Sequence, residues 1–286
     1  MITGQHPLWR EIDVARRLIT EAGARVAEIY QRTYQVDWKA PGDPITEADR
    51  ASEEIILAGL RQAFPHDGIL SEETTDDRRR LAQRRVWIVD PLDGTRDFVD
   101  RTDEFSIMIG LAIDGMPAVG LVYQPVGDRL FVGVPGVGAW MYDNDGEPAP
   151  LCVSAVESLS EARLVVSRSH RSPLVGAIAQ ALGVRQERPC GSVGLKVSLL
   201  ATQEADIYVH PSLGCKEWDV CAPDAIIRAA GGRMTDCWGR PFRYNLEDVH
   251  KRWGLIATNG RFHWRAVGYV AAVCEAAGVD VQKGFA

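Results

Sequence analysis

Residues 86–98 read VWIVDPLDGTRDF, and the first five of them differ in kind from the rest. Val86, Trp87, Ile88 and Val89 form a compact apolar run rich in β-branched side chains, which is read as a strand. Pro91 and Gly94 then force a turn, because proline fixes φ and lacks a donor while glycine tolerates conformations that other residues avoid. The turn carries Asp90, Asp93 and Thr95 at a strand edge. Two carboxylates are a costly way to build a mere turn, since a buried charge needs a partner.

Upstream, Leu8, Ile12, Ala15, Leu18, Ile19, Ala22, Val26, Ile29 and Tyr30 recur at three- and four-residue spacings and predict a long amphipathic helix. After the turn-rich KAPGDP, residues 45–64 read as a second helix capped by Thr46, with Asp49 three residues on. Downstream, residues 105–142 alternate short β-rich runs with Gly, Pro and Asp turns, the pattern of an antiparallel meander. DNDGEPAP at 143–150 is the most polar and turn-prone stretch, and beyond it strands alternate with helices. Strands are expected at 163–169, 206–210, 233–236 and 254–259, and helices at 172–182, 192–205, 219–232 and 261–277. A boundary near residue 155 separates an α+β part, 1–155, from an α/β part, 156–286.

The 286 residues carry 39 Asp plus Glu against 32 Lys plus Arg, a net charge of −7 that disfavours binding a nucleic-acid polymer. A small anion can still bind where something local reverses the sign. Six cysteines without a CxxC pair suggest a reduced, intracellular chain. No run approaches the roughly 18 apolar residues of a membrane span, so a cytoplasmic protein with no membrane partner is expected.

Acidic residues gather at four element junctions: Asp49 in ITEAD, Glu72 and Glu73 in LSEET, Asp90 and Asp93 in DPLDGT, and Asp219 in EWD. Each has a plain structural reading beside a chemical one. Thr46 and Asp49 make a capping box, Glu72 and Glu73 suit a helix start, and Asp219 suits an N-cap. Brought together, these carboxylates would repel unless a cation joined them. Oxygen ligands without a His or Cys cluster favour magnesium over zinc.

DPLDGT with Phe98, LSEET upstream and WDVCAPDAI at 218–226 together resemble the signature set of the inositol monophosphatase superfamily, in order and spacing over nearly the whole chain. The DxDGT string of haloacid-dehalogenase phosphatases is only superficially similar, since Asp90 and Asp93 stand three apart. Within the superfamily, VSRSH at 166–170, GSVGLK at 191–196 and the run at 212–236 look most like the 3'(2'),5'-bisphosphate nucleotidases. Ser212 stands where the inositol monophosphatases place an acidic sugar-binding residue, seven positions before the motif aspartate.

The resemblance implies a layered αβαβα sandwich of the inositol monophosphatase and fructose-1,6-bisphosphatase type. It also implies two or three magnesium ions, one held by Glu72, Asp90 and the carbonyl of Leu92 and a second by Asp90, Asp93 and Asp219. Thr95 and Asp49 would handle the attacking water, with Gly94 and Thr95 close to the phosphate. His170, Ser192, Lys196 and Glu217 are the implied contacts to the rest of a small phosphorylated substrate. Adenosine 3',5'-bisphosphate is expected, with an inositol or other sugar or polyol phosphate as the alternative. Lithium sensitivity and a homodimer are further expectations of the resemblance. The roles of Arg96 and His210 stay open.

Overall fold

The computed structural model describes residues 6–40, 42–143 and 147–285; Pro41 of KAPGDP and the centre of DNDGEPAP lie outside them. Helix α1 (Trp9–Tyr30) forms where the apolar spacing predicts it, and Ile12, Ala15, Ile19, Ala22, Val26 and Ile29 are buried along one face. An antiparallel hairpin of β1 (Val36–Ala40) and β2 (Asp43–Thr46) follows, a pairing hidden by the turn residues of KAPGDP. Helix α2 (Glu47–Ala63) starts from Thr46 and packs along α1.

The first sheet comprises β3 (Gly68–Ser71), β4 (Arg85–Asp93), β5 (Ser106–Ile113), β6 (Met116–Gln124), β7 (Arg129–Val134), β8 (Gly138–Asp143) and β9 (Ala149–Leu151), paired in chain order. The short helix α3 (Thr95–Val99) sits between β4 and β5. From β4 onward every pairing is antiparallel, as the meander predicts, while β3 joins β4 in parallel. The chain leaves β3 as a bend, so Glu72 and Glu73 do not begin a helix.

The remaining elements are β10 (Arg163–Ser167), α4 (Leu174–Leu182), β11 (Gln186–Cys190), α5 (Val193–Ala201), β12 (Ile207–His210), α6 (Glu217–Ala229), β13 (Arg233–Thr235), β14 (Leu255–Thr258) and α7 (His263–Ala276). The strands make a five-stranded sheet in the order β11-β10-β12-β14-β13. Strand β10 is parallel to both neighbours, and β14 is antiparallel to both of its own. Edge strand β11 reads QERPC and exposes most of its length, so it carries no apolar alternation to betray it.

Three apolar clusters correspond to three helix layers. α1 and α2 cover one face of the first sheet with Ile19, Ile56 and Leu60 against Trp87, Ile109 and Leu121. α5 and α6 lie between the sheets, where Leu195, Val197 and Ile226 meet Ile88 and Met108 on one side and Val165 and Ala257 on the other. α4 and α7 close the far side with Ile178 and Val270 against Leu164, Ile207 and Ile256. The layer order is αβαβα. The chain passes from one sheet to the other between Leu151 and Arg163, yet both parts share the middle core.

Helix α6 rests directly on the first sheet because a row of three glycines crosses the sheet beneath it. Gly110, Gly120 and Gly133 are register partners on β5, β6 and β7, and a Cβ on each would lie 2.7 Å from Cys221 Sγ, 2.2 Å from Ala222 O and 2.4 Å from Ile226 Cα. This close seat sets the height of the first turn of α6, which carries Asp219.

Candidate active site

Asp90 and Asp93 are three residues apart, and in a regular strand they would face opposite sides of the sheet. Here Asp90 pairs with Met108 and Asp93 with Ser106, so three steps on β4 oppose two on β5. The extra residue makes a bulge that turns both carboxylates toward one spot. Gly94 follows with φ of +91°, and a Cβ there would stand 3.2 Å from Glu104 O and 3.3 Å from the Ser192 nitrogen. Only glycine suits that combination of left-handed backbone and close approach.

Asp219 joins the pair from the first turn of α6, and one oxygen from each of Asp90, Asp93 and Asp219 lies within 4.8 Å of the others. It is not the N-cap: Lys216 holds that position, and its N–H donates to Asp219 Oδ2 at 2.5 Å. Each aspartate is anchored through one oxygen in this way. Leu92 N–H donates to Asp90 Oδ1 at 3.0 Å, and Ser192 Oγ and Gly194 N–H donate to Asp93 Oδ2 at 2.5 and 2.9 Å. One carboxylate oxygen is thereby fixed in direction, and no described residue donates to its twin.

Burial first, and then Glu72, Asp93 and Asp219, push the Asp90 carboxyl well above the carboxylate range. Burial also raises Asp93, against the pull of Lys196, Ser192 and Gly194. Asp219 is pushed to about 8 by burial and by the charges of Glu72 and Asp93. Three buried or half-buried carboxylates that resist ionising, all offering oxygen, fit a hard divalent cation.

Glu72 lies on the same cavity but outside this tight trio. Its Oε1 accepts from Lys39 Nζ at 2.9 Å, and Glu73 Oε1 accepts from the same ammonium at 2.8 Å. Burial and the neighbouring Glu72 raise Glu73 to about 7. Lys39, on the β1–β2 hairpin, is held above its ordinary range by both glutamates despite its own burial. No sequence signal marked Lys39, because nothing local ties a hairpin lysine to glutamates more than thirty residues away.

Asp49 performs the capping role and faces the site at once. Oδ2 accepts from Thr46 N–H at 2.7 Å and from Thr46 Oγ1 at 2.6 Å, closing the capping box of α2. Oδ1 accepts from Thr95 Oγ1 at 2.9 Å. Thr95 Oγ1 also lies 3.0 Å from the Leu92 carbonyl. Burial lifts Asp49 to about 6, outweighing its hydrogen bonds from Thr46 and Thr95.

A cavity of about 350 Å³ has walls that include Glu72, Asp90, Thr95, Lys196, His210 and Asp219, and Asp49 is joined to it through Thr95. Gly94, His170 and Ser192 also line it. Ser192 is committed to the protein: besides Asp93 it lies 2.8 Å from Ser106 Oγ and accepts from Leu195 N–H at 3.0 Å. Lys196 is buried, with its ammonium 3.3 Å from the Cys190 carbonyl and 5.3 Å from the centre of the Tyr208 ring. His210 Nε2 and Ser212 Oγ are 2.7 Å apart, and burial, with Lys196 and His170, lowers His210 to about 4, so it is neutral at pH 7. Arg96 borders the cavity but gives its Nε–H to Asp100 at 2.8 Å.

Glu217 departs from the sequence expectation. Its fully buried carboxylate accepts from Asn245 N–H at 2.7 Å and Leu246 N–H at 3.0 Å, with Lys251 Nζ at 3.5 Å, and it does not line the cavity. It braces the start of α6 and is not placed to touch a substrate. Tyr208 was missed, although alternation along β12 puts it on the same side as His210.

A family model described as the inositol monophosphatase family matches residues 9–276. The chain is 32% identical over 246 residues to the inositol-1-monophosphatase of Bacillus subtilis (strain 168), covering 82% of this chain and 89% of that protein. It is 34% identical over 240 residues to the 3'(2'),5'-bisphosphate nucleotidase CysQ of Escherichia coli (strain K12), covering 82% of this chain and 93% of that protein. Among solved structures, the IMPase of Thermotoga maritima superposes with a TM-score of 0.78 at 26% identity, over 93% of this chain and 98% of that one. Among the described residues, no helix is long and apolar enough to cross a membrane. None of the six cysteines is bridged.

Proposed function

The chain belongs to the inositol monophosphatase family of phosphatases, and from that premise we propose that it is a magnesium-dependent phosphomonoesterase that removes the 3'-phosphate of adenosine 3',5'-bisphosphate. The observation that carries the chemistry is the trio of Asp90, Asp93 and Asp219, each fixed through one oxygen and open through the other. Glu72 and the Leu92 carbonyl would complete the ligand set. When bound there, magnesium supplies the positive charge that polarises the phosphoryl group and offsets the charge developing on its oxygens.

The chain's own residues handle the proton. Thr95 Oγ1 gives its hydrogen to Asp49 Oδ1, so its lone pairs face the cavity and can accept from an attacking water. Asp49, raised to about 6, is basic enough to take a proton near neutral pH and is held in one orientation by Thr46.

Two features favour a substrate with a second phosphate. Lys196 is a buried cation on the cavity wall, and position 212 offers a hydroxyl where a carboxylate would repel an anion. One observation favours a polyol phosphate: the neutral His210–Ser212 pair presents hydrogen-bonding groups suited to sugar hydroxyls. Phosphate release from adenosine 3',5'-bisphosphate and from inositol 1-phosphate, measured side by side with magnesium, separates the two. Faster turnover of inositol 1-phosphate overturns the nucleotide assignment, and no release from any phosphomonoester overturns the phosphatase reading.

A further inference from the structure

Tyr208 has a fully buried side chain that lines the cavity, and its hydroxyl has no hydrogen-bond partner among the described residues. Its surroundings make this unusual. The other hydroxyls bordering the site are engaged: Thr95 with Asp49, Ser192 with Asp93, Ser212 with His210, and Ser167 as acceptor from His170 N–H. A buried polar group left without a partner is destabilising, because it has given up its hydrogen bonds to water and gained none in return. The strand itself fixes which way the ring goes, because Ile207 and Val209 pack into the outer core while Tyr208 joins the middle one.

Burial, with Cys215, Asp93 and Asp219 nearby, raises the phenol well above its ordinary range, so the group stays protonated and can donate. The Lys196 ammonium stands over the same ring at 5.3 Å. A cation thus stands over the ring of a tyrosine whose O–H is unused, and both residues line the cavity.

We propose that Tyr208 is a substrate-binding residue whose hydroxyl donates to a phosphate oxygen seated beside Lys196; this rests on the phosphatase reading of the site. The test is Tyr208→Phe, which removes one oxygen and keeps the ring. Binding of inorganic phosphate in the presence of magnesium is measured by calorimetry for both proteins, and melting temperature is measured without phosphate. The variant should melt at the same temperature or higher, because an unsatisfied group is gone, while its Kd for phosphate rises roughly tenfold or more, as expected for a hydrogen bond to a charged acceptor. The kcat/KM for the turned-over ester should fall by a similar factor. A phosphate Kd within about twofold of the parent overturns the proposal, as does a melting temperature several degrees lower, which would mean that the hydroxyl already holds the fold together. If the parent protein releases no phosphate from any phosphomonoester, the phosphatase reading falls and the proposal falls with it; turnover in the parent with an unchanged kcat/KM in the variant overturns the proposal alone.

Discussion

Thr95 Oγ1 lies 2.9 Å from Asp49 Oδ1 while Asp49 Oδ2 closes the start of α2 on Thr46. Capping and chemistry, which look like rival explanations of ITEAD in the sequence, occupy different oxygens of one carboxylate. The cap thereby becomes the mount of the carboxylate that the proposed mechanism uses as its base.

The two oxygens are separable by mutation. Thr95→Val removes the hydroxyl and preserves shape, so the cap and the fold should survive while kcat falls about 10²–10⁴-fold, the usual worth of a positioned proton acceptor. Thr95→Ser should keep most of the rate. Asp49→Asn should lose activity and also about 1 kcal/mol of stability, because an amide cannot accept on both sides. Phosphate release and thermal melting check all three, and near-parental turnover in Thr95→Val would remove the hydroxyl from the mechanism.

A second expectation concerns the seat of α6. A Cβ at Gly120 would stand 2.2 Å from the Ala222 carbonyl oxygen, a contact with backbone that no rotamer change relieves. Gly120→Ala should cost about 1–3 kcal/mol or more and lift α6, carrying Asp219 away from Asp90 and Asp93. The magnesium needed for half-maximal activity should therefore rise. Gly176→Ala, in open space on α4 and at an ordinary φ, serves as the comparison and should leave the magnesium requirement alone.

Glu217 supplies a third. Its carboxylate is fully buried and braced by Asn245, Leu246 and Lys251, and Asn245 is in turn held by Arg80, whose Nη1–H donates to Asn245 Oδ1 at 2.9 Å. Glu217→Gln takes the paired carboxylate from the buried Lys251, whose ammonium keeps only the Arg243 carbonyl at 2.9 Å, and turns an amide N–H toward a backbone N–H. Breaking a buried pair of this kind costs about 3–5 kcal/mol. Melting temperature should fall by about 6–20 °C, at roughly 2–4 °C per kcal/mol for a chain near this size. An unchanged melting temperature with a raised KM would instead restore Glu217 as a substrate contact.

The contrast between Asp93 and Glu217 shows what the sequence could and could not reveal. Asp90, Asp93 and Thr95 are legible because a strand, a proline and a glycine in thirteen residues leave the chain little freedom. The long helices and the meander are legible for the same reason, as their periodicity is local. Glu217 sits two residues from Asp219, yet one step along a helix turns a side chain by about 100°. Whether the carboxylate then meets the cavity or the 245–246 turn depends on a loop nearly thirty residues away. Lys39 and strand β11 were likewise decided by distant pairing.

The last expectation follows from the acidity of the site without metal. Asp49 and Asp219 are raised to about 6 and about 8, and Asp90 and Asp93 are raised as well, whereas in the unfolded chain all four titrate near 4. A carboxylate whose folded pKa is raised contributes stability below its unfolded value and loses it as pH climbs through the folded one. The metal-free protein should thus lose stability between about pH 4 and pH 8 as the cluster ionises. Magnesium must displace the same protons, so its stabilising effect should be small near pH 5.5 and large near pH 8.5, with protons released on binding. Asp219→Asn removes one of the charges that are hard to form. It should melt higher than the parent at about pH 8.5 in chelator, gain little on adding magnesium, and turn over no phosphoester. Melting curves with and without magnesium at the two pH values decide the matter; an Asp219→Asn protein that is stabilised by magnesium as strongly as its parent would take Asp219 out of the ligand set.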